Sequence, residues 1–230
     1  MRSAQNIDTT FAANCVGHQL LVTVLLPLMK ETIAKAPPSA DADARIVITS
    51  SSMHSICRRL DLDLLTTPTR PKVRAIDGVW RYGRSKLGNI LFAKELTRRL
   101  DEESDPVSRR IYVNCFFPGN IVTDQWGSWN EYVGSWIGAL LRAFFSLFGQ
   151  SRQDGAATAL YLAASREVRE KDQRGLYFIP IAKPDSTTRI ACDPGLARNV
   201  WVSLACSLCE LVVVFGLLMS FVFRTGLMRK

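Results

Sequence analysis

Tyr82-Gly83-Arg84-Ser85-Lys86 places a phenol and an ammonium four residues apart, so that on a helix both stand on one face, a turn from each other. A cation beside a phenol favours the phenolate, the form that takes a proton in general acid/base chemistry. Alone the spacing is unspecific, because a solvated Tyr and Lys occur at that distance on any helix. Three other segments supply polar groups that an alcohol or carbonyl oxygen could use. The run from Arg45 to His54, Arg-Ile-Val-Ile-Thr-Ser-Ser-Ser-Met-His, ends a β-branched stretch in hydroxyls, and Ser51 could donate to a substrate oxygen at the strand end where open α/β sheets put their ligands. Asn14, within Phe11 to His18, sets an amide in an apolar helical stretch and would need partners if buried. Pro118-Gly119-Asn-Ile-Val-Thr123 closes a second apolar run at the same kind of edge.

The elements that must hold these residues read as helices and short buried strands in alternation. Apolar residues at helical spacing predict a helix over 11–29, turn formers fill 35–43, and a strand follows over 45–50. A mixed loop with Pro68 and Pro71 leads to a helix over 79–100, whose Leu87, Ile90, Leu91 and Leu100 form one stripe. Residues 111–117 read as a second buried strand and 175–181 as a third, with a helix over 151–164 between them and Ser151 as its N-cap. Strands separated by helices imply a mainly parallel sheet with helices on both faces.

In this order the motifs resemble the short-chain dehydrogenase/reductase family, in its retinol dehydrogenase and WW-domain oxidoreductase branch, over roughly residues 10–182. Asn14-Cys-Val-Gly-His18 is similar to the family's NxxGH helix, Ser50-Ser51 to its strand-end serines, Tyr82 to Lys86 to its YxxSK, and Pro118 to Thr123 to its PGxxxT. The resemblance implies an α/β fold, the C-terminal part of a Rossmann-type doubly wound parallel sheet, and a tetrad of Asn14, Ser51, Tyr82 and Lys86. Tyr82 would exchange a proton with the substrate oxygen, Lys86 would tune the phenol and hold the ribose, Ser51 would orient the oxygen, and Asn14 would anchor a water relay. NAD or NADP is the implied cofactor, held by Tyr82, Lys86, Pro118, Gly119 and Thr123. Asn14 also reads as a satisfied core amide, and Thr123 as the N-cap of a following helix. Family members open with a βαβ unit bearing a Gly-rich turn, and none of the 14 glycines falls in such a pattern. The expectation is therefore the catalytic half of the fold, over residues 1–199, without the part that grips adenosine and pyrophosphate.

Composition narrows the remaining classes. The 29 Lys and Arg against 21 Asp and Glu leave +8, but the basic residues are scattered among acidic neighbours, so nucleic acid is not an expected partner. The six cysteines lack framework spacing; Cys206 and Cys209 form one CxxC, but it lies in the apolar C-terminal segment without a second pair, and all six read as small hydrophobes. Val200 to Phe223 carries one charge, Glu210, and is long enough to span a bilayer, so a C-terminal transmembrane helix over 200–223 with a basic tail over 224–230 is expected. That would tether a cytosolic body to a membrane, with the endoplasmic reticulum as the candidate. Trp126, Trp129, Val133, Trp136 and Leu140 recur at helical spacing, as a lid over a lipophilic alcohol or carbonyl substrate, a core helix, or a helix lying on the bilayer. A sheet that starts at the strand over 45–50 leaves an open edge, to be covered in a homodimer or by a partner chain. Two readings compete: an NAD(P)-dependent oxidoreductase, and a catalytically silent, membrane-tethered interaction protein or incomplete product of a longer reading frame.

Overall fold

The computed structural model of the chain describes residues 3, 7–37, 41–66, 74–121 and 151–206. Helix α1 spans Thr9–Lys35 and starts where Asp8 accepts the Phe11 N–H at 3.0 Å, a side-chain N-cap. Strand β1 is Ala44–Thr49, helix α2 Arg74–Glu102, strand β2 Ile111–Phe116 and helix α3 Arg152–Ala164. Two short strands follow, β3 over Tyr177–Ile179 and β4 over Lys183–Asp185, and helix α4 occupies 194–206.

The sheet order is β1-β2-β3-β4. β1 and β2 run parallel, from Ala44 opposite Ile111 to Thr49 opposite Phe116, and β2 and β3 are parallel as well. β4 turns back antiparallel to β3, and no apolar alternation in Lys183-Pro184-Asp185 announces it. β1 lies at one edge of the sheet. The parallel strands carry the β-branched and aromatic residues that a sheet covered on both faces requires.

Alternation along β2 sorts the core into two layers, since successive side chains leave opposite faces of a strand. Ile111, Val113 and Cys115 join the larger cluster built with α1, α2 and α4, while Tyr112 and Phe116 pack with Leu162 of α3 and Phe178 of β3. Helices thus cover both faces. The stripe on α2 is the centre of the larger layer: Leu87, Leu91, Phe92 and Leu96 are all fully buried. Helix α3 begins at a reciprocal cap, Ser151 Oγ accepting the Asp154 N–H at 3.1 Å and the Asp154 carboxylate accepting the Ser151 N–H at 3.2 Å.

The C-terminal transmembrane reading needs correction at its start. Val200 and Leu204 are buried in the domain core, and Trp201 stacks on Phe92 with centroids 5.5 Å apart. Asp193 caps this helix through the N–H groups of Gly195 and Leu196 at 2.8 and 3.0 Å, with Pro194 in its first turn. Residues 200–206 therefore continue a helix that belongs to the body, and the rest of the expected span lies outside the described residues. Among the described residues, the helix long and apolar enough to cross a membrane is α1, near the N-terminus. One side of α1 packs into the core through Phe11, Cys15, Val16, Val22 and Ile33, while Leu21, Val24 and Leu28 are exposed on the other.

Candidate active site

The serine-bearing end of β1, the N-terminal part of α1 and the first half of α2 converge at the carboxyl edge of the sheet. Tyr82 and Lys86 share a turn of α2, and the Lys86 ammonium lies 5.5 Å from the centroid of the Tyr82 ring. Lys86 is buried, and its Nζ donates to the Thr49 carbonyl at the end of β1 at 3.1 Å. Burial pulls its pKa below the ordinary lysine value, an effect partly opposed by the thiols of Cys15 and Cys115. The Cys115 thiol is itself pushed up to about 12, chiefly by burial. The ammonium is thus held against a strand end by a backbone acceptor in a poorly solvated place beside the Tyr82 ring.

Asn14 reaches the same turn from α1. Its Nδ2 donates to Ser85 Oγ at 2.9 Å, and Ser85 Oγ donates to the Tyr82 carbonyl at 2.8 Å. The α1 backbone widens to a π-type turn across Ala12–Val16, with Asn14 at its middle, the kind of bulge that re-aims a side chain inside a helix. Ser51 stands at the end of β1, where its Oγ accepts the Met53 N–H at 3.2 Å and so caps the turn Ser52–Ile56. Among the described residues the Ser51 hydroxyl proton has no acceptor.

Ser50, Gly83 and Asn89, the last of them outside every motif, hold this arrangement. Ser50 Oγ donates to the Lys86 carbonyl at 2.8 Å and locks the strand end to the helix. Asn89, fully buried one turn past Lys86, donates to the same Thr49 carbonyl at 3.0 Å and takes the Cys15 thiol at 3.3 Å on its oxygen. Gly83 lets α2 approach the serine turn, because a Cβ there would lie 2.8 Å from the Met53 carbonyl oxygen. The sequence signal for Asn89 is a polar residue inside an apolar stripe, which by itself says only that partners are needed.

Pro118 and Gly119 leave β2 beside the serines, since the Ser50 N–H donates to the Phe116 carbonyl at 2.7 Å. Gly119 has φ 100°, a left-handed conformation that side-chain-bearing residues rarely adopt. Thr123 and the aromatic stretch over 126–148 lie outside the described residues.

A cleft of about 480 Å³ opens beside these groups, lined by Ser52, His54, Phe117, Asn120, Tyr177 and Ile179 among others. Tyr82 and Lys86 are not part of its lining. Its walls come from the segments that follow β1 and β2 and from β3, β4 and the residues next to them, with mixed aromatic and hydroxyl character.

No family model matches the chain. The chain is 33% identical over 211 residues to the short chain dehydrogenase/reductase dpchH of Colletotrichum higginsianum, which covers 87% of this chain and 49% of that protein. It is 31% identical to the WW domain-containing oxidoreductase of Danio rerio, covering 84% of this chain and 42% of the relative. It is 30% identical to retinol dehydrogenase 14 of Homo sapiens, covering 87% and 52%. The chain spans about half the length of the curated relatives it matches. A crystal structure of an uncharacterized protein from Mycobacterium paratuberculosis superposes with a TM-score of 0.57 at 22% identity, over 89% of this chain and 60% of that one, which shows a shared fold.

Proposed function

We propose that this chain, a relative of the short-chain dehydrogenase/reductases over most of its length, carries the proton-transfer half of an NAD(P)-dependent oxidoreductase acting on a lipophilic alcohol or carbonyl compound. The observation that carries the reading is the Lys86 ammonium, fixed on the Thr49 carbonyl and 5.5 Å from the ring of Tyr82. A solvated Tyr–Lys pair would have its ammonium in water; here it is buried and anchored to the strand end that carries the serines.

Tyr82 gives its phenolic proton to a carbonyl oxygen in reduction, or takes the hydroxyl proton in oxidation. Lys86 stabilises the negative charge that gathers on the phenolic oxygen as the proton leaves. Ser51 donates its O–H to the same substrate oxygen and fixes its position. Asn14 holds the Tyr82 turn through Ser85. The nicotinamide supplies or accepts the hydride when bound, and Lys86, Pro118 and Gly119 would hold its ribose and ring.

The competing reading is a catalytically silent, tethered protein. Calorimetric titration of the full chain with NAD(H) and NADP(H), followed by turnover on long-chain and retinoid-like aldehydes, separates the two. Active wild type with Tyr82→Phe reduced about 10²- to 10⁴-fold in kcat supports the assignment. Turnover that survives Tyr82→Phe removes it, and absence of cofactor binding leaves the silent reading.

A further inference from the structure

His54 grips the turn that carries Ser51. Its Nδ1 lies 2.6 Å from the Ser51 carbonyl oxygen, which also accepts the His54 backbone N–H at 3.1 Å. A carbonyl only accepts, so Nδ1 carries the proton. Burial holds the imidazole below its ordinary pKa, with Lys94 adding to that effect while the Ser51 carbonyl and Asp185 oppose it. The ring is therefore neutral at pH 7, with Nε2 unprotonated. Its edge meets Tyr177 with centroids 5.0 Å apart and planes at 67°. Tyr177 is on β3, two strands away from β1, so the ring ties the serine turn to a strand with which β1 makes no ladder.

The Ser51 hydroxyl has one lone pair committed to the Met53 N–H, and the direction in which it can donate follows from the set of that turn. An apolar residue at position 54 would fill the same space beside Tyr177 but could not take hold of the Ser51 carbonyl.

We propose that His54 is a positioning residue of the site, its Nδ1–H fixing the Ser51 turn so that the serine hydroxyl meets the substrate oxygen at a set place. What Ser51 does there rests on the oxidoreductase reading above; the hold of His54 on Ser51 rests on the geometry alone.

Two measurements keep these apart. The sequence has two histidines, so nitrogen-15 histidine labelling of the full chain gives two ring systems, and the one missing in His54→Asn is His54. At pH 7 it is expected as the neutral ring protonated on Nδ1; a neutral ring protonated on Nε2 overturns the proposal whether or not the protein turns over substrate. The second measurement uses side-chain length. The amide nitrogen of Asn is as many bonds from Cα as Nδ1, and that of Gln as many as Nε2. His54→Asn is expected to keep kcat within about threefold, and His54→Gln to lower it about 10- to 100-fold with KM within about twofold, the scale of a misplaced reacting group. Equal losses in both variants, or a change confined to KM, overturn the positioning role. If the wild type shows no NAD(P)-dependent turnover, the oxidoreductase reading fails and the ring tautomer alone decides the hold of His54 on Ser51.

Discussion

Gly78 and Gly83 both lie in α2, and replacing each by Ala separates helix propensity from close approach. In either place Ala favours the helix by about 0.5–1 kcal/mol, part of it through the unfolded chain. Among the described residues, an added Cβ at Gly78 meets nothing within 4 Å. Gly78→Ala should therefore stabilise by that full amount, raising the unfolding midpoint by about 1–4 °C for a chain of this size. At Gly83 the Cβ would lie 2.8 Å from the Met53 carbonyl oxygen and 3.0 and 3.1 Å from Ile56 Cγ1 and Cδ1. Ordinary contact begins at 3.4 Å, so the Met53 carbonyl must retreat by about 0.6 Å, and it is backbone in the turn capped by Ser51 rather than a free side-chain tip. Overpacking of this kind costs about 1–3 kcal/mol. Gly83→Ala should be net destabilising by about 0.5–2 kcal/mol, the propensity gain offsetting part of the clash. Moving the serine turn should also lower turnover about tenfold, less than the 10²-fold expected for a full ångström. Urea unfolding of both variants gives the first number and kcat the second. A Gly83→Ala protein as stable as Gly78→Ala would refute the packing of α2 on the serine turn, and with it the placement of Ser51.

Phe92→Ala should cost about 3–5 kcal/mol, because Phe92 is 1% exposed and stacks on Trp201; urea unfolding gives the loss, and tryptophan emission should shift to the red as α4 loosens. Glu95 is 1% exposed and takes Arg98 at 2.7 and 2.8 Å and Arg99 at 2.8 Å, and its pKa is lowered, first by the Arg98 hydrogen bonds. A carboxylate with a depressed folded-state pKa stabilises above its ordinary value and loses that contribution as pH falls through the folded value. Glu95→Gln should therefore cost about 1–3 kcal/mol at pH 7, with the difference from wild type shrinking below pH 4; a pH-independent difference would contradict the ion pairing. The exposed Cys192 thiol is drawn below its ordinary pKa by Thr187 and Lys94, each at 3.1 Å, whereas burial raises those of Cys15, Cys57 and Cys115. Iodoacetamide at pH 7.5 should label Cys192 ahead of those three, and Lys94→Met should slow it; peptide mapping over time reads both.

The alternation of buried runs and helical stripes was legible because it follows from which residues leave water. β1 was expected over 45–50 and is Ala44–Thr49, and β2 was expected over 111–117 and is Ile111–Phe116. The helix over 79–100 extends to Arg74–Glu102, since propensity and i,i+4 ion pairs such as Asp77–Arg81 carry it past the apolar stripe. Within 52–77, expected as loop, Ser52–Ile56 and Asp63–Thr66 form short helical turns, each too brief to show a period. β4 was illegible for a related reason: Lys183, Pro184 and Asp185 are all exposed, and only pairing with β3 makes them a strand.

For the site, the spacing of Tyr82 and Lys86 along one helix sufficed to put the phenol and ammonium on a common turn, because a helix fixes that geometry locally. Whether the ammonium would be solvated or buried was beyond any local rule, and it was decided by where α2 lies on the end of β1. The same holds for Ser50, Asn89 and His54, whose partners at Lys86, Thr49 and Tyr177 are 36, 40 and 123 positions away in the chain. The apolar run from Val200 shows the converse limit. Hydropathy records that Val200, Trp201 and Leu204 avoid water, but a bilayer and the flank of α2 exclude water equally well, and only the packing of Trp201 on Phe92 tells them apart.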